Sequence, residues 1–195
     1  LVTGGSRGIG AALSLRLAQD GFDVAVNYRS GAEAAQETVE QLRELGVEAI
    51  AVQGDVADLE QMKAAAASAI EAFGQLDVVV NNAGISKDVL ISSMQTEDWR
   101  SVMDVNFGGV FNGTKAVLEH FMSRGTGSII NMSSMSSVNK SPAISAYAAS
   151  KAALAGITAT VAHELTHAID EQHFGVFRRL RRTRDEDARL AYTAV

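Results

Sequence analysis

The sequence predicts an α/β fold, a doubly wound parallel sheet that is incomplete on its C-terminal side. Three observations point there. Short β-branched runs alternate with longer Ala-rich amphipathic stretches, the signature of βαβ units. The short runs are almost continuously apolar, as strands covered by helices on both faces must be. A glycine-rich turn joins the first apolar run to the first amphipathic stretch.

The elements follow in order. Strands are expected at residues 1–3, 23–28, 47–53, 76–80 and 128–132, and helices at 9–20, 32–45, 59–73, 97–124 and 147–167. In the second helix Ala35, Val39, Leu42 and Leu45 recur at helical spacing, and Gly46 offers a left-handed cap. The single proline, Pro142, falls in the loop before the last helix. The character changes after His167: residues 170–195 are charged, and Phe174-Gly175-Val176-Phe177 is the one weak strand candidate. The expected division is a nucleotide-binding domain at 1–167 and an atypical charged helical tail at 168–195.

Bulk properties narrow the function classes. A length of 195 residues fits one domain, and 47% hydrophobic residues can bury a sizeable core. The net charge of -6 argues against a nucleic-acid partner for the whole chain. The absence of cysteine excludes disulfides and thiolate chemistry. No apolar run approaches the roughly 20 residues that span a bilayer, and no basic-then-apolar leader opens the sequence, so no membrane partner and a cytoplasmic location are expected. Leu1 in place of Met, and an end without a terminating signal, suggest a fragment.

Thr3-Gly4-Gly5-Ser6-Arg7-Gly8-Ile9-Gly10 is the strongest local motif. Gly4 allows a sharp turn, Gly8 lets backbone approach a pyrophosphate, and Gly10 permits close helix–strand packing. Ser6, Arg7 and Ile9 lie on the same turn, where the helix N-terminus offers unpaired N–H groups to phosphate. The second strand ends Val26-Asn27-Tyr28-Arg29-Ser30 without the acid that NAD sites use to hold the ribose 2′-hydroxyl. Arg29 and Arg7 can instead pair with a 2′-phosphate, which favours NADP over NAD. The bland alternative is two solvated arginines. Asp55 and Val56, after the third strand, are placed to meet an adenine ring; Asp55 serves equally well as an acid at a helix start.

Tyr147 and Lys151 stand four residues apart, on one face of a helix. A free phenol titrates at about 10, and an ammonium within about 4–6 Å favours the phenolate, so the pair makes an acid–base device. Such a pair by itself is commonplace. Ser134 follows the apolar run Ile129-Ile130-Asn131-Met132, at the carboxyl edge where open parallel sheets bind ligands. Its hydroxyl can hold a carbonyl oxygen near the phenol; Ser133 and Ser136 are rivals, and turn chemistry is the alternative.

Taken together, Thr3-Gly4-x-x-x-Gly8-x-Gly10, Asn81-Asn82-Ala83-Gly84, Asn106, Ser134 and Tyr147-x-x-x-Lys151 resemble the signature set of the classical short-chain dehydrogenases/reductases over residues 1–167. The resemblance implies a Rossmann-type sheet, a nicotinamide cofactor, a small-molecule carbonyl or alcohol substrate, and a homodimer or homotetramer built through the two longest helices. It implies a tetrad in which Tyr147 is the general acid/base, Ser134 orients the substrate oxygen, Lys151 lowers the phenol pKa and holds the nicotinamide ribose, and Asn106 holds a relay water. Asn81, Ala83 and Gly84 would line the adenosine side. Within the family, Phe111-Asn112-Gly113-Thr114-Lys115 and residues 127–134 are similar to 3-oxoacyl-carrier-protein and acetoacetyl-CoA reductases.

The tail departs from that pattern. The family's next strand, its Pro-Gly turn, its substrate lid and its final strand have no counterpart, so an impaired, cofactor-binding fragment is a second expectation. His163-Glu164-Leu165-Thr166-His167 reads as HExxH, with His173 six residues on, and residues 163–195 resemble a segment of bacterial HExxH-type metallopeptidases. A fusion of two coding sequences would explain both, leaving a zinc-hydrolase remnant. Against it, ordinary reductases carry similar solvated histidines here. Asp170 also replaces the glycine the turn needs, and the 33 residues from His163 onward cannot enclose a site with three protein ligands. No metal site is therefore expected. The run Arg178-Arg179-Leu180-Arg181-Arg182-Thr183-Arg184 reads as a solvated helix face.

Overall fold

The computed structural model describes residues 1–139 and 141–174, the last twelve of these as helical backbone only. The chain divides into the units Leu1–Thr158 and Ala159–Val195, and the sheet and the crevice described below lie in the first. The side chains of His163, Glu164, His167, Asp170 and His173, together with residues 175–195 and their arginine run, lie outside the described residues. So does the weak strand candidate, apart from the backbone of Phe174, which ends a helix.

Among the described residues the strands are β1 (Val24–Tyr28), β2 (Ala49–Gln53), β3 (Val78–Asn81) and β4 (Ser128–Asn131). β1 pairs in parallel with β2, Val24 opposite Ala49, and β3 pairs in parallel with β4, Val78 opposite Ser128. Residues 1–3, expected as a full strand, form only isolated bridges of Val2 to Val26 and to Val80. Those bridges still fill the gap. The Val2 amide donates to the Ala25 carbonyl at 2.9 Å, and the Thr3 amide to Val80 at 3.0 Å. The spatial order becomes β2, β1, residues 1–3, β3, β4. The chain therefore starts mid-sheet, winds outward one way, then returns and winds the other way, as in a doubly wound sheet.

The helices are α1 (Gly8–Gln19), α2 (Ala32–Glu44), α3 (Leu59–Phe73), α4 (Thr96–Met103), α5 (Gly109–Arg124) and α6 (Ser145–Phe174). Successive strand residues point to opposite faces, and the core divides accordingly. Val2, Val24, Val26 and Val80 pack with Ala35, Val39 and Leu42 of α2 on one face. Ala25, Val52 and Val79 pack with Met62, Ala65 and Ala69 of α3 and Val117 and Phe121 of α5 on the other. Local chemistry fixes the ends. The Asp58 carboxylate accepts from the Gln61 amide and side chain, and from the Glu60 amide, at the start of α3, bonds that hold its pKa below the ordinary carboxylate value. Gly46 takes the expected left-handed conformation after α2, with φ +89°.

One expected helix, 97–124, is two helices separated by a π-turn at Asp104–Gly108. The interruption has a polar cause. Asn106 sits fully buried in the wide turn, and its side chain bonds both main-chain groups of Ile85 instead of packing like its neighbours. Beyond it, Gly109 and Gly113 share the sheet-facing side of α5. A Cβ at Gly109 would lie 2.7 Å from Val56 Cγ2, and one at Gly113 would overlap Asn81 Oδ1. The final helix begins before and runs past its expected bounds. No helix among the described residues is long and apolar enough to cross a membrane.

Candidate active site

The carboxyl ends of the strands open onto a crevice of about 470 Å3. It is lined by Gly4, Ser6, Arg7, Ile9, Gly10, Asn27, Tyr28, Arg29, Ser30, Gly54, Asp55, Val56, Asn82, Ala83, Gly84, Ile85, Ser86, Val105, Tyr147 and Lys151. It lies where the sheet order reverses, between residues 1–3 and β3, the position at which such sheets take ligands.

The floor is built by the glycine turn. Gly4 and Gly8 hold φ of +61° and +56°, left-handed values that a side chain would strain. A Cβ at Gly10 would overlap the Gly4 carbonyl oxygen, so this glycine is what lets α1 start against the turn. At Gly8 a Cβ would meet nothing within 4 Å, so the backbone there faces open space. The first turn of α1 carries no acidic residue and no side-chain cap, which leaves its N–H groups available to an anion. Thr3 supports the opposite wall from below: its hydroxyl accepts from the amides of Asn82 (2.9 Å) and Ala83 (3.0 Å).

At the far end, Asn27 is buried and donates to the carbonyls of Val52 and Gly54, tying the ends of β1 and β2 together. The Arg29 guanidinium is largely exposed and stands 3.8 Å from an Asp55 carboxylate oxygen. Asp55 also accepts from the Ala57 amide, so it works as a turn acid as well as a crevice residue.

At the near end, the Lys151 ammonium lies 5.9 Å from the centre of the Tyr147 ring and donates to the Met132 carbonyl at 2.6 Å. Lys151 is only 4% exposed, and burial lowers its pKa from the ordinary lysine value. A Cβ at Gly84 would sit 3.6 Å from that ammonium and 3.3 Å from Asn106 Oδ1, so Gly84 is the gap through which the wall approaches both.

Not every expected site residue faces the crevice. Gly8 does not line it, although its neighbours Arg7 and Ile9 do. The Asn81 side chain is buried on the other side, donating to Asn131 Oδ1 at 2.9 Å, while Asn82 lines the crevice in its place. Asn106 lies behind the wall. Ser134 stands on the turn after β4, where its hydroxyl accepts from the Ser136 amide at 3.1 Å. Its rival Ser133 donates to the Lys151 carbonyl at 3.1 Å, a structural duty. The expectation overlooked Ser30, Gly54, Asn82, Ile85, Ser86 and Val105. All but Ser86 adjoin residues already singled out, and the period of two along β3 is the available signal for Asn82.

The crevice matches the dimensions of a cofactor site, which run about 300–1,000 Å3. Its open glycine backbone, its uncapped helix start and its two arginines suit a phosphate-bearing ligand. Tyr147 and Lys151 suit proton transfer at the other end.

Similarity to known proteins covers most of the chain. The family model described as short chain dehydrogenase matches residues 1–170. The 3-oxoacyl-[acyl-carrier-protein] reductase FabG of Staphylococcus aureus is 42% identical over 165 residues, covering 85% of this chain and 67% of that protein. The 3-oxoacyl-[acyl-carrier-protein] reductase of Synechocystis is 44% identical over the same length. The 3beta-hydroxysteroid dehydrogenase 1 of Eggerthella lenta is 42% identical, covering 84% of this chain and 63% of that protein. Among solved structures, NAD+-bound xylitol dehydrogenase superposes with a TM-score of 0.81 at 33% identity, over 86% of this chain and 64% of that one. The chain thus spans about two thirds of the length of the relatives it matches.

Proposed function

The chain belongs to the short-chain dehydrogenase family, and from that membership we propose that it is an NADP(H)-dependent oxidoreductase acting on a carbonyl or secondary alcohol, with a 3-oxoacyl thioester as the favoured substrate class. The observation that carries the reading is that Tyr147 and Lys151 line the same crevice as the glycine turn.

A nicotinamide cofactor, when bound, supplies or accepts the hydride. The chain's own residues do the rest. The turn at Gly4, Ser6, Arg7, Gly8, Ile9 and Gly10 holds the diphosphate against the start of α1. Asp55, Val56, Ala83 and Gly84 line the adenosine, with Asn81 bracing the wall behind them. Tyr147 gives its phenolic proton to the substrate oxygen during reduction and takes it back during oxidation. Lys151, held by Met132 with its amine 5.9 Å from the centre of the phenol ring, would stabilise the phenolate when protonated and would hold the nicotinamide ribose. Ser134 donates its hydroxyl proton to the substrate oxygen while its own oxygen accepts from Ser136. Asn106 braces the wall beside Lys151 through Ile85, and with both amide protons already given to Ile85 and Ser150 its side chain has none left for the relay water that the family resemblance implies.

NADP is favoured over NAD because Asn27, Tyr28, Arg29 and Ser30 bring no carboxylate to the end of β1, while Arg29 and Arg7 can pair with a 2′-phosphate. The neighbouring Asp55 partly offsets Arg29, so the preference is moderate. The 3-oxoacyl class rests on the similarity to 3-oxoacyl-[acyl-carrier-protein] reductases, and a homodimer or homotetramer on the family. The family match includes His163 and His167, which supports reading them as ordinary helix residues of a reductase. Fluorescence titration with NADPH, followed by NADPH consumption with an activated ketone, tests the proposal. Binding plus turnover abolished by Tyr147→Phe is expected; no binding would exclude it, and binding without turnover would leave an impaired cofactor-binding protein.

A further inference from the structure

Asn106 has more partners than a water-holding role needs. Its amide nitrogen donates one proton to the Ile85 carbonyl (2.9 Å) and the other to Ser150 Oγ (3.0 Å), while its oxygen accepts from the Ile85 amide at 2.7 Å. Ser150 then donates its single proton to the carbonyl of Tyr147 at 2.7 Å. Asn106 and Ser150 are both fully buried, so no water competes for these bonds. The hydroxyl's direction is fixed, because the lone pair facing Asn106 is taken by an N–H and the proton has to point the other way.

We infer that Ser150 is a positioning residue, the link through which the π-turn holds the helical turn bearing Tyr147 and Lys151. The inference rests on the oxidoreductase reading above. A serine bonding three residues back adds a second donor to the Tyr147 carbonyl and bends the helix start locally. The far end of the chain of bonds is the crevice wall at Ile85, so the wall and the acid–base pair are set by one network. Alanine at 150 would leave an Asn106 amide proton unpaired in the interior and free the Tyr147 turn from the wall.

The test compares the full chain with Ser150→Ala in two measurements. Hydrogen exchange of the Ile85 amide should speed up about tenfold, since its acceptor loses its second anchor. For ketone reduction, kcat should fall about 10- to 100-fold, the cost of misplacing an acid by a fraction of its reach. The KM and the NADPH affinity read by fluorescence should remain at their starting values. Unchanged exchange at Ile85 overturns the inference, whatever happens to kcat. Faster exchange with unchanged kcat also overturns it, leaving Ser150 a packing residue. If the parent chain shows no turnover, the oxidoreductase reading falls, while the exchange experiment still decides whether the link exists. Should Ser150→Ala fail to fold, Ser150→Cys retains the volume with a weaker bond. Intermediate values in both measurements support the link, and parental values in both reject it.

Discussion

Lys151 is the residue on which the chemistry and the stability of this chain meet. Its ammonium is buried and donates to the Met132 carbonyl. Burial lowers its pKa in the folded chain below the 10.5 of an ordinary lysine. The unfolded chain therefore binds the proton more tightly, and stability rises with pH between the lowered value and 10.5. Compared with Lys151→Met, which keeps the volume without the charge, the parent should gain melting temperature as pH rises toward 10.5. A flat difference across that window would contradict the assignment. Arg29 makes the second prediction at this scale. Arg29→Ala should reduce the preference for NADPH over NADH by about tenfold, as loss of one charge-assisted phosphate bond implies. Competitive fluorescence titration of the two nucleotides measures it.

At the scale of elements, the glycine turn and the split helix matter most. Gly10→Ala pushes a methyl group into the Gly4 carbonyl and should destabilise the fold by about 1–3 kcal/mol, read as a lowered melting temperature. Gly8→Ala meets open space but demands a left-handed backbone. It should cost about 1–2 kcal/mol through strain and weaken NADPH binding as well, which separates the two glycines by their readouts. The glycine turn was legible in the sequence because positive φ and close approach leave glycine as the residue that fits. Tyr147 and Lys151 were legible because helical spacing fixes their common face. The π-turn was not, because Asn106 is stabilised by Ile85, 21 residues earlier, and no local period carries that bond. For the same reason the burial of Asn81 away from the crevice was invisible: its position depends on Asn131 across the sheet. The first strand was overestimated because three apolar or β-branched residues suffice to bridge two neighbours without forming a continuous ladder.

Across the unit Leu1–Thr158 the sheet brings distant segments to one edge. The glycine turn, the end of β1, the loop after β3 and the start of α6 meet at the crevice because parallel strands all present their carboxyl ends there. Among the described residues β4 is the outer strand of this sheet, and Ile130 on it is 45% exposed, unlike the buried Val24, Val26, Val79 and Val80 of β1 and β3. A ligand gripping these segments and the loop after β2 at once ties them together. Saturating NADPH, at about 100 times its dissociation constant, should therefore stabilise the chain by about 2.7 kcal/mol, measured as a rise in melting temperature. The central claim concerns the fate of one hydrogen. Incubating the chain with NADPH deuterated at the transferring carbon and an activated ketone, then analysing the alcohol by mass spectrometry, follows that hydrogen directly. The account predicts one deuterium on the carbinol carbon with the parent chain and none with Tyr147→Phe. An alcohol that forms without deuterium, or deuterium transfer that survives loss of the phenol, would contradict it.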